Sequence, residues 1–461
     1  MRRWPIPAAA LLLAACAVGP QYSRPTLDVP DTFRDQTAAS GASSLADLSW
    51  WDVYKDPTLQ QLLKAAVDQN RDVKIAVARI SEARAQAAIA RVAQFPQANA
   101  DFNGERGRVF QSGDYVTGAL FSAGAEVSFE LDLWGRLASL SDAARSNLLA
   151  TEYARAGAMS SLVGDVATAY FDLISFDQQL RVTLGTVRDR QRFLELTQSK
   201  LRHGAASSVD VNRAEASLAA ATAIEADLRR QIAQAENRLR ILLGENPAPI
   251  ERPDQDLEAL PAPPDVPAGL PSSLLERRPD LRQAEANLVG ATANVRAAKA
   301  ALYPTISLTG SFGWESLELS KLFTGPTKVW ALGLDVLQPL INAQRNRHQV
   351  EAAEARAEQA LLQYQSAVAQ AFREVSDALV ARQRYAEQLR AQQQQVTALQ
   401  SASTRVLRRY QVGYSSYFEV IDADSSLYAA QLLLVQARRN SLVTVVQLYK
   451  ALGGGWGRAD W

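Results

Sequence analysis

The sequence predicts a mixed α and β membrane protein, internally duplicated, dominated by long coiled-coil helices and carrying four strands suited to crossing a bilayer. Three observations carry this fold class. Asp72-Val73 opens an Ala-rich helical run that ends at Phe95-Pro96, and Asp280-Leu281 opens one that ends at Tyr303-Pro304, a displacement of 208 positions at both ends. No proline occurs between Pro96 and Pro247 or after Pro339, so very long helices are permitted there. Between helical runs, Tyr115 to Trp134 switches from helical spacing to alternation of apolar and polar residues. A repeat this long is a duplicated domain-sized unit, not a solenoid module.

Residues 1–15 set the compartment. Arg2-Arg3 precede an apolar run from Ile6 to Ala15, too short to span a bilayer and suited to a signal peptide. The run ends Leu13-Ala14-Ala15-Cys16, which resembles a bacterial lipobox and would make Cys16 the acylated first residue of the mature chain. Ala17 stands where an Asp would resemble an inner-membrane retention signal, so outer-membrane sorting follows. Cys16 is the only cysteine, so no disulfide is available and packing alone must hold the fold. Residues 16–50 read as a lipidated, extended arm, polar with scattered prolines.

The first repeat covers residues 51–246. After its short helices, strands are expected at about 97–107 and 115–134. In the second of these, Tyr115, Thr117, Ala119, Phe121, Ala123, Ala125, Val127, Phe129, Leu131 and Leu133 share one face. Gly118, Ser122, Gly124, Glu126, Ser128, Glu130 and Asp132 share the other, with Val116 and Leu120 as exceptions. Each strand reaches about 10 residues, enough to cross a bilayer when tilted, and one polar face suits a water-filled lumen. Four strands cannot close a barrel, so the chain must oligomerise to remove its edges.

A helical hairpin follows at about 136–244. Val166, Leu173, Leu180, Val187, Leu194 and Leu201 recur every seven residues, and the outgoing helix continues a seam with Ala214, Ala221, Leu228, Ala235 and Leu242. The turn Gly204-Ala-Ala-Ser207-Ser208-Val-Asp210-Val211 recurs as Gly413-Tyr-Ser415-Ser416-Tyr-Phe-Glu419-Val420, 209 positions on. Glycine suits the end of the incoming helix. Ser207 or Ser208, and Ser415 or Ser416, suit the N-cap of the outgoing one, with an acid in its first turn. Pro247 to Pro271 form a semi-extended linker over residues 247–271. The second repeat, residues 272–461, holds a helix at about 280–303, strands at about 304–314 and 328–338, a helical hairpin at about 342–452 and a tail.

Several segments together resemble a known family. They are Trp50-Trp51 with Asp56-Pro57-Thr-Leu59, Asn70-Arg-Asp72, Phe129-Glu-Leu-Asp-Leu-Trp-Gly-Arg136, Arg277-Arg-Pro-Asp-Leu-Arg282 and Tyr303-Pro-Thr-Ile-Ser-Leu-Thr-Gly310. The lipobox, Val18-Gly-Pro20 and Tyr22-Ser-Arg-Pro25 fit too. The mature chain is similar throughout to the outer-membrane efflux family, the TolC-like channels, in its lipoprotein branch. The resemblance implies a homotrimer whose strands make a twelve-stranded outer-membrane β-barrel, continued by a periplasmic α-barrel. It implies a passive exit duct of a tripartite pump, joined by a periplasmic adaptor to an inner-membrane transporter of the proton-driven RND type. Gly204, Ser207, Ser208, Gly413, Ser415 and Ser416 match the family's adaptor-facing tips. Phe418, Asp422 and Asp424 match the region lining its closed aperture. Asp422 falls on Arg213 at the 209-residue displacement, so inter-repeat ion pairs could hold a closed state. Threefold symmetry would turn Asp422 into a carboxylate ring that favours cations. Solvated helix-face charges are the plainer reading of Asp422 and Asp424.

Other classes fit less well. Zero formal net charge gives no field for nucleic acid. His203 and His348, the only histidines, form no His-Glu-x-x-His motif, so neither a metal site nor a hydrolase is expected, and no cofactor. A non-conducting structural lipoprotein would not need carboxylates gathered on one strand face. A duct for type I protein secretion shares every feature above. The cargo is left open.

Overall fold

The structure is a computed structural model that describes residues 18–27, 30, 32–33, 44–111, 114–261, 271–340 and 343–454; Cys16, the signal segment and part of the linker lie outside them. In chain order the elements are α1 (Trp50–Val53), α2 (Pro57–Gln69), α3 (Arg71–Val92), β1 (Gln97–Gln111), β2 (Asp114–Leu131), α4 (Arg136–Arg202) and α5 (Ser208–Leu242). They continue with α6 (Leu274–Arg277), α7 (Pro279–Ala300), β3 (Thr305–Ser316), β4 (Lys328–Leu337), α8 (Ala343–Gln411) and α9 (Tyr417–Ala451). The two copies match closely: α4 and α8 have 67 and 69 residues, and α5 and α9 have 35 each.

The compact units cut across the repeat. Among the described residues, one takes those up to Leu27, Ala78–Tyr153 and Arg282–Ala367; the other takes Asp28–Val77, Ala154–Leu281 and those from Val368 on. The expected division into consecutive repeats is therefore a division of sequence only. Each long helix, α4 and α8, gives one end to each unit.

In the first unit, the strands form one antiparallel sheet in the order β1-β2-β3-β4. Its register joins the apolar faces of both repeats. Ala100 pairs with Ala125, Ala125 with Phe312 and Phe312 with Trp330, and parallel rows run Ala98-Val127-Gly310-Leu332 and Phe129-Leu308-Leu334. The opposite face carries Asn99-Glu126-Ser311 and Glu130-Ser307-Asp335. On β4 Trp330, Leu332 and Leu334 are 73%, 81% and 63% exposed, so this apolar face has no cover within one chain. β1 and β4 are open edges. The arm is extended as expected where it is described, and Tyr22 and Arg24 bind the Glu285 carboxylate of α7 at 3.0 and 2.8 Å.

In the second unit, the C-terminal ends of α4, α5, α8 and α9 all close on the same motif. At α4 the Gly204 amide donates to Leu201 O and the Ala205 amide to Lys200 O, and the same pair of bonds recurs around Gly244, Gly413 and Gly453. Each of these glycines has φ between 72° and 84°. Two repeat-equivalent residues then latch the hairpin ends: Asn70 Nδ2 donates to Leu242 O, and Arg278 Nη1 to Ala451 O. The described part of the linker is docked on α4 rather than free, through Arg252 to Asp177 and Leu257 N to Gln178 Oε1. No described helix is long and apolar enough to cross a membrane.

Candidate functional site

The two hairpin turns lie together in the second unit, around a small apolar cluster. Leu194, Val211, Ala214, Tyr410, Tyr417 and Val420 are buried against one another, with Phe193, Leu218, Val406 and Ile421 packed on them. These residues come from α4, α5, α8 and α9, so both hairpins share one core. The Tyr410 and Tyr417 rings are 6.0 Å apart, and the Lys200 ammonium sits 3.8 Å from the Tyr410 ring centroid. Burial beside Tyr410 pushes the Tyr417 hydroxyl up to about 12.

The caps are now assigned. Ser207 and Ser416 are the N-caps; Ser208 is the first residue of α5, and Ser415 precedes the second cap. Ser207 Oγ accepts from Asp210 N at 3.2 Å while Asp210 Oδ2 accepts from Ser207 N at 3.0 Å. Glu419 closes the same reciprocal box with Ser416, at 3.3 and 3.2 Å, so the longer side chain leaves the motif intact. These bonds hold the Asp210 and Glu419 carboxyls below the ordinary carboxylate range. Gly204 and Gly413 face open space: a Cβ there would meet nothing within 4 Å.

The proposed aperture residues separate into two kinds. Asp422 is exposed, and no side-chain partner is found for it among the described residues. Asp424 instead pairs with Arg190, Nε to Oδ2 at 2.9 Å, and is the more buried of the two. Burial raises the Asp424 carboxyl above its ordinary value, and the Arg190 charge opposes this. Within one chain Arg213 does not pair with Asp422; its guanidinium lies 5.5 Å from the ring centroid of Phe418, itself 58% exposed.

Arg190 is the residue that sequence reasoning missed. It is 8% exposed and also donates to Ser217 O at 2.9 Å, linking α4, α5 and α9. Its guanidinium lies 5.4 Å from the Tyr428 ring centroid, and the Tyr428 hydroxyl meets Thr183 Oγ1 at 2.9 Å. A charged residue inside a heptad run was the only local signal.

The model of the outer membrane efflux protein family matches residues 62–245 and again 270–454, once for each repeat. The chain belongs to that family. Its members are transport conduits of the outer membrane, not enzymes. The chain is 34% identical over 449 residues to the cation efflux system protein CusC of Escherichia coli O6:H1, covering 97% of each chain. It is 35% identical over 457 residues to the solvent efflux pump outer membrane protein SrpC of Pseudomonas putida, again covering 97% of each. The open-state crystal structure of the Neisseria gonorrhoeae outer membrane channel MtrE superposes with a TM-score of 0.87 at 34% identity, covering 97% of this chain and all of that one. The efflux fold accounts for the open sheet. Four strands per chain close as a twelve-stranded β-barrel in a homotrimer, and the long helices form a periplasmic α-barrel.

Proposed function

We propose that the protein is the passive exit channel of a tripartite efflux pump, carrying small solutes from the periplasm or an inner-membrane transporter to the outside. The observation that carries this reading is the sheet, one register aligning an apolar face across four strands and gathering acids on the other. Such a wall has lipid on one side and water on the other. CusC and SrpC are named as components of cation and solvent efflux systems, which favours small solutes over the protein cargo of a type I secretion duct. The partners of this chain would be a periplasmic adaptor meeting the turns at Gly204 to Ser208 and Gly413 to Ser416, and an RND-type transporter. Acylated Cys16 would add a lipid anchor.

Asp422 is the gate carboxylate in this proposal. Exposed and without an internal cation, it is free to form a ring about a threefold axis that repels itself, attracts cations and excludes anions. Phe418, braced by Arg213, narrows the same level. Asp424 takes a supporting role through Arg190. Opening is a shift of the hairpin tips between two packings, biased by adaptor contacts. Purified trimers placed in planar bilayers test this. Wild type should conduct with cation preference, and Asp422→Ala should raise conductance and weaken that preference. Unchanged conductance and selectivity would remove Asp422 from the gate; no conductance from wild type would leave a structural lipoprotein.

A further inference from the structure

Charge on the four-stranded sheet is completely sorted by face. Register and alternation place Asp101, Glu105, Asp114, Glu126, Glu130, Glu315 and Asp335 on the polar face. Every lysine and arginine of the strands, Arg106, Arg108 and Lys328, stands on the apolar face, where no carboxylate occurs. All three are exposed, and none has an ion-pair partner among the described residues. Arg108 lies 5.0 Å from the Tyr115 ring centroid on that same face.

Their height on the wall is also specific. Along β2 itself this face carries no charge from Leu131 to Phe121, and the only strand charge in the rows of that stretch is Lys328, in the row of Ala123 and Trp314. The stretch is eleven residues in ten steps, or about 34 Å of strand and about 26 Å of membrane normal at a tilt of about 40°. That matches one hydrocarbon layer. Arg106 pairs with Ala119 and Arg108 with Thr117, the next two positions on that face beyond Phe121, while Lys328 opens β4 opposite Trp314. All three lie toward the strand ends remote from α3, α4, α7 and α8. Trp314, Phe312, Phe323 and Trp330 supply aromatic rings beside Lys328, with the Trp314 and Phe323 rings 5.5 Å apart. Two arginines just beyond an apolar band and a lysine within its upper margin, with aromatic rings at the boundary, fit an anionic lipid headgroup.

We propose that Arg106, Arg108 and Lys328 form a phosphate-binding collar for the phosphorylated glycolipid of the outer leaflet. The inference rests on the membrane-barrel reading above. Barrel closure sets the β4 edge of one copy beside the β1 edge of the next, so each of three seams carries Lys328 from one side and the two arginines from the other. A seam of this kind can bridge two headgroup phosphates. Arginine's planar fork suits phosphate oxygens, and lysine contributes a point charge.

The test uses the full-length trimer in detergent, titrated with bis-phosphorylated lipid A and with its dephosphorylated form, read by tryptophan fluorescence. Wild type should prefer the phosphorylated form. At about fivefold per cation, the triple variant R106Q/R108Q/K328Q should lose on the order of a hundredfold of that affinity. It should keep its affinity for the dephosphorylated form, and the single variants R106Q and K328Q should fall between. Arg230→Gln, a change on α5, should alter nothing. Equal wild-type affinity for both lipids, or a triple variant that still discriminates, would overturn the collar and leave these cations to some other surface partner. Conductance of the same preparations in planar bilayers separates the two levels. A conducting trimer without lipid discrimination sinks the collar alone, and a protein that never conducts sinks the barrel reading and the collar with it.

Discussion

Arg190→Gln should loosen the tip without touching its exposed surface. The wild-type guanidinium side chain is 9% exposed and faces Asp424, whose side chain is 30% exposed, while a second nitrogen bonds Ser217 O at 2.9 Å. Breaking a buried ion pair from one side costs about 3–5 kcal/mol. Because Asp424 keeps partial access to water, the lower end applies, about 3 kcal/mol. Local opening of the first turns of α9 should then be on the order of a hundredfold more frequent. Hydrogen exchange followed by mass spectrometry on purified trimers reads this directly at peptides covering Tyr417 to Tyr428. Asp422→Asn is the matched control and should leave exchange unchanged, since Asp422 has no internal partner. Unaltered exchange in Arg190→Gln would refute the clamp. Equal effects of Asp424→Asn and Asp422→Asn on ion selectivity would refute the division of labour between them.

Other outcomes follow from the same geometry. In Gly204→Val and Gly413→Val the new Cβ meets no neighbour but the side chain must sit on a left-handed backbone, about 1–2 kcal/mol each, so trimer yield should hold while pump-dependent resistance is lost. Loss of the trimer would make the turns purely structural. Gly244→Ala is the contrast: its Cβ would lie 2.5 Å from Gln69 O, and folding yield should fall. Cys16→Ser should abolish acylation, and lipid labelling that persists would refute the lipobox. Acid should loosen the tips. The Asp210 and Glu419 carboxyls titrate below their ordinary values of 3.8 and 4.5, so their contribution is present above those values and fades as pH falls through the folded ones. Tip-selective proteolysis should rise over that range in wild type but not in Asp210→Asn/Glu419→Gln.

Much of this was legible because it is periodic. Alternation in β2 located both faces of the sheet, and the heptads and their turns located the long hairpins. The cap assignment was also within reach: a capping box needs its acid three residues after the serine, which selects Ser207 for Asp210 and Ser416 for Glu419. Helical geometry held a further clue. Residues two apart on a helix point about 200° away from each other, so Asp422 and Asp424 could not both line one aperture. Arg190 was not legible, because its partner lies 234 residues away and no repeat relates them. Nor was the mixing of the two copies into each compact unit, which depends on tertiary pairing of β2 with β3.

The sorting of charge across the sheet makes the barrel wall a fixed electrical double layer, acids toward water and bases toward lipid. Its reach is set by the bath. At 1 M salt the Debye length is about 3 Å and the wall acts only on ions that touch it; at 0.01 M it is about 30 Å and the acid layer governs the whole bore. Cation preference of the open pore should therefore climb as salt is diluted. A channel whose selectivity stayed constant across that range would owe it to the tip alone.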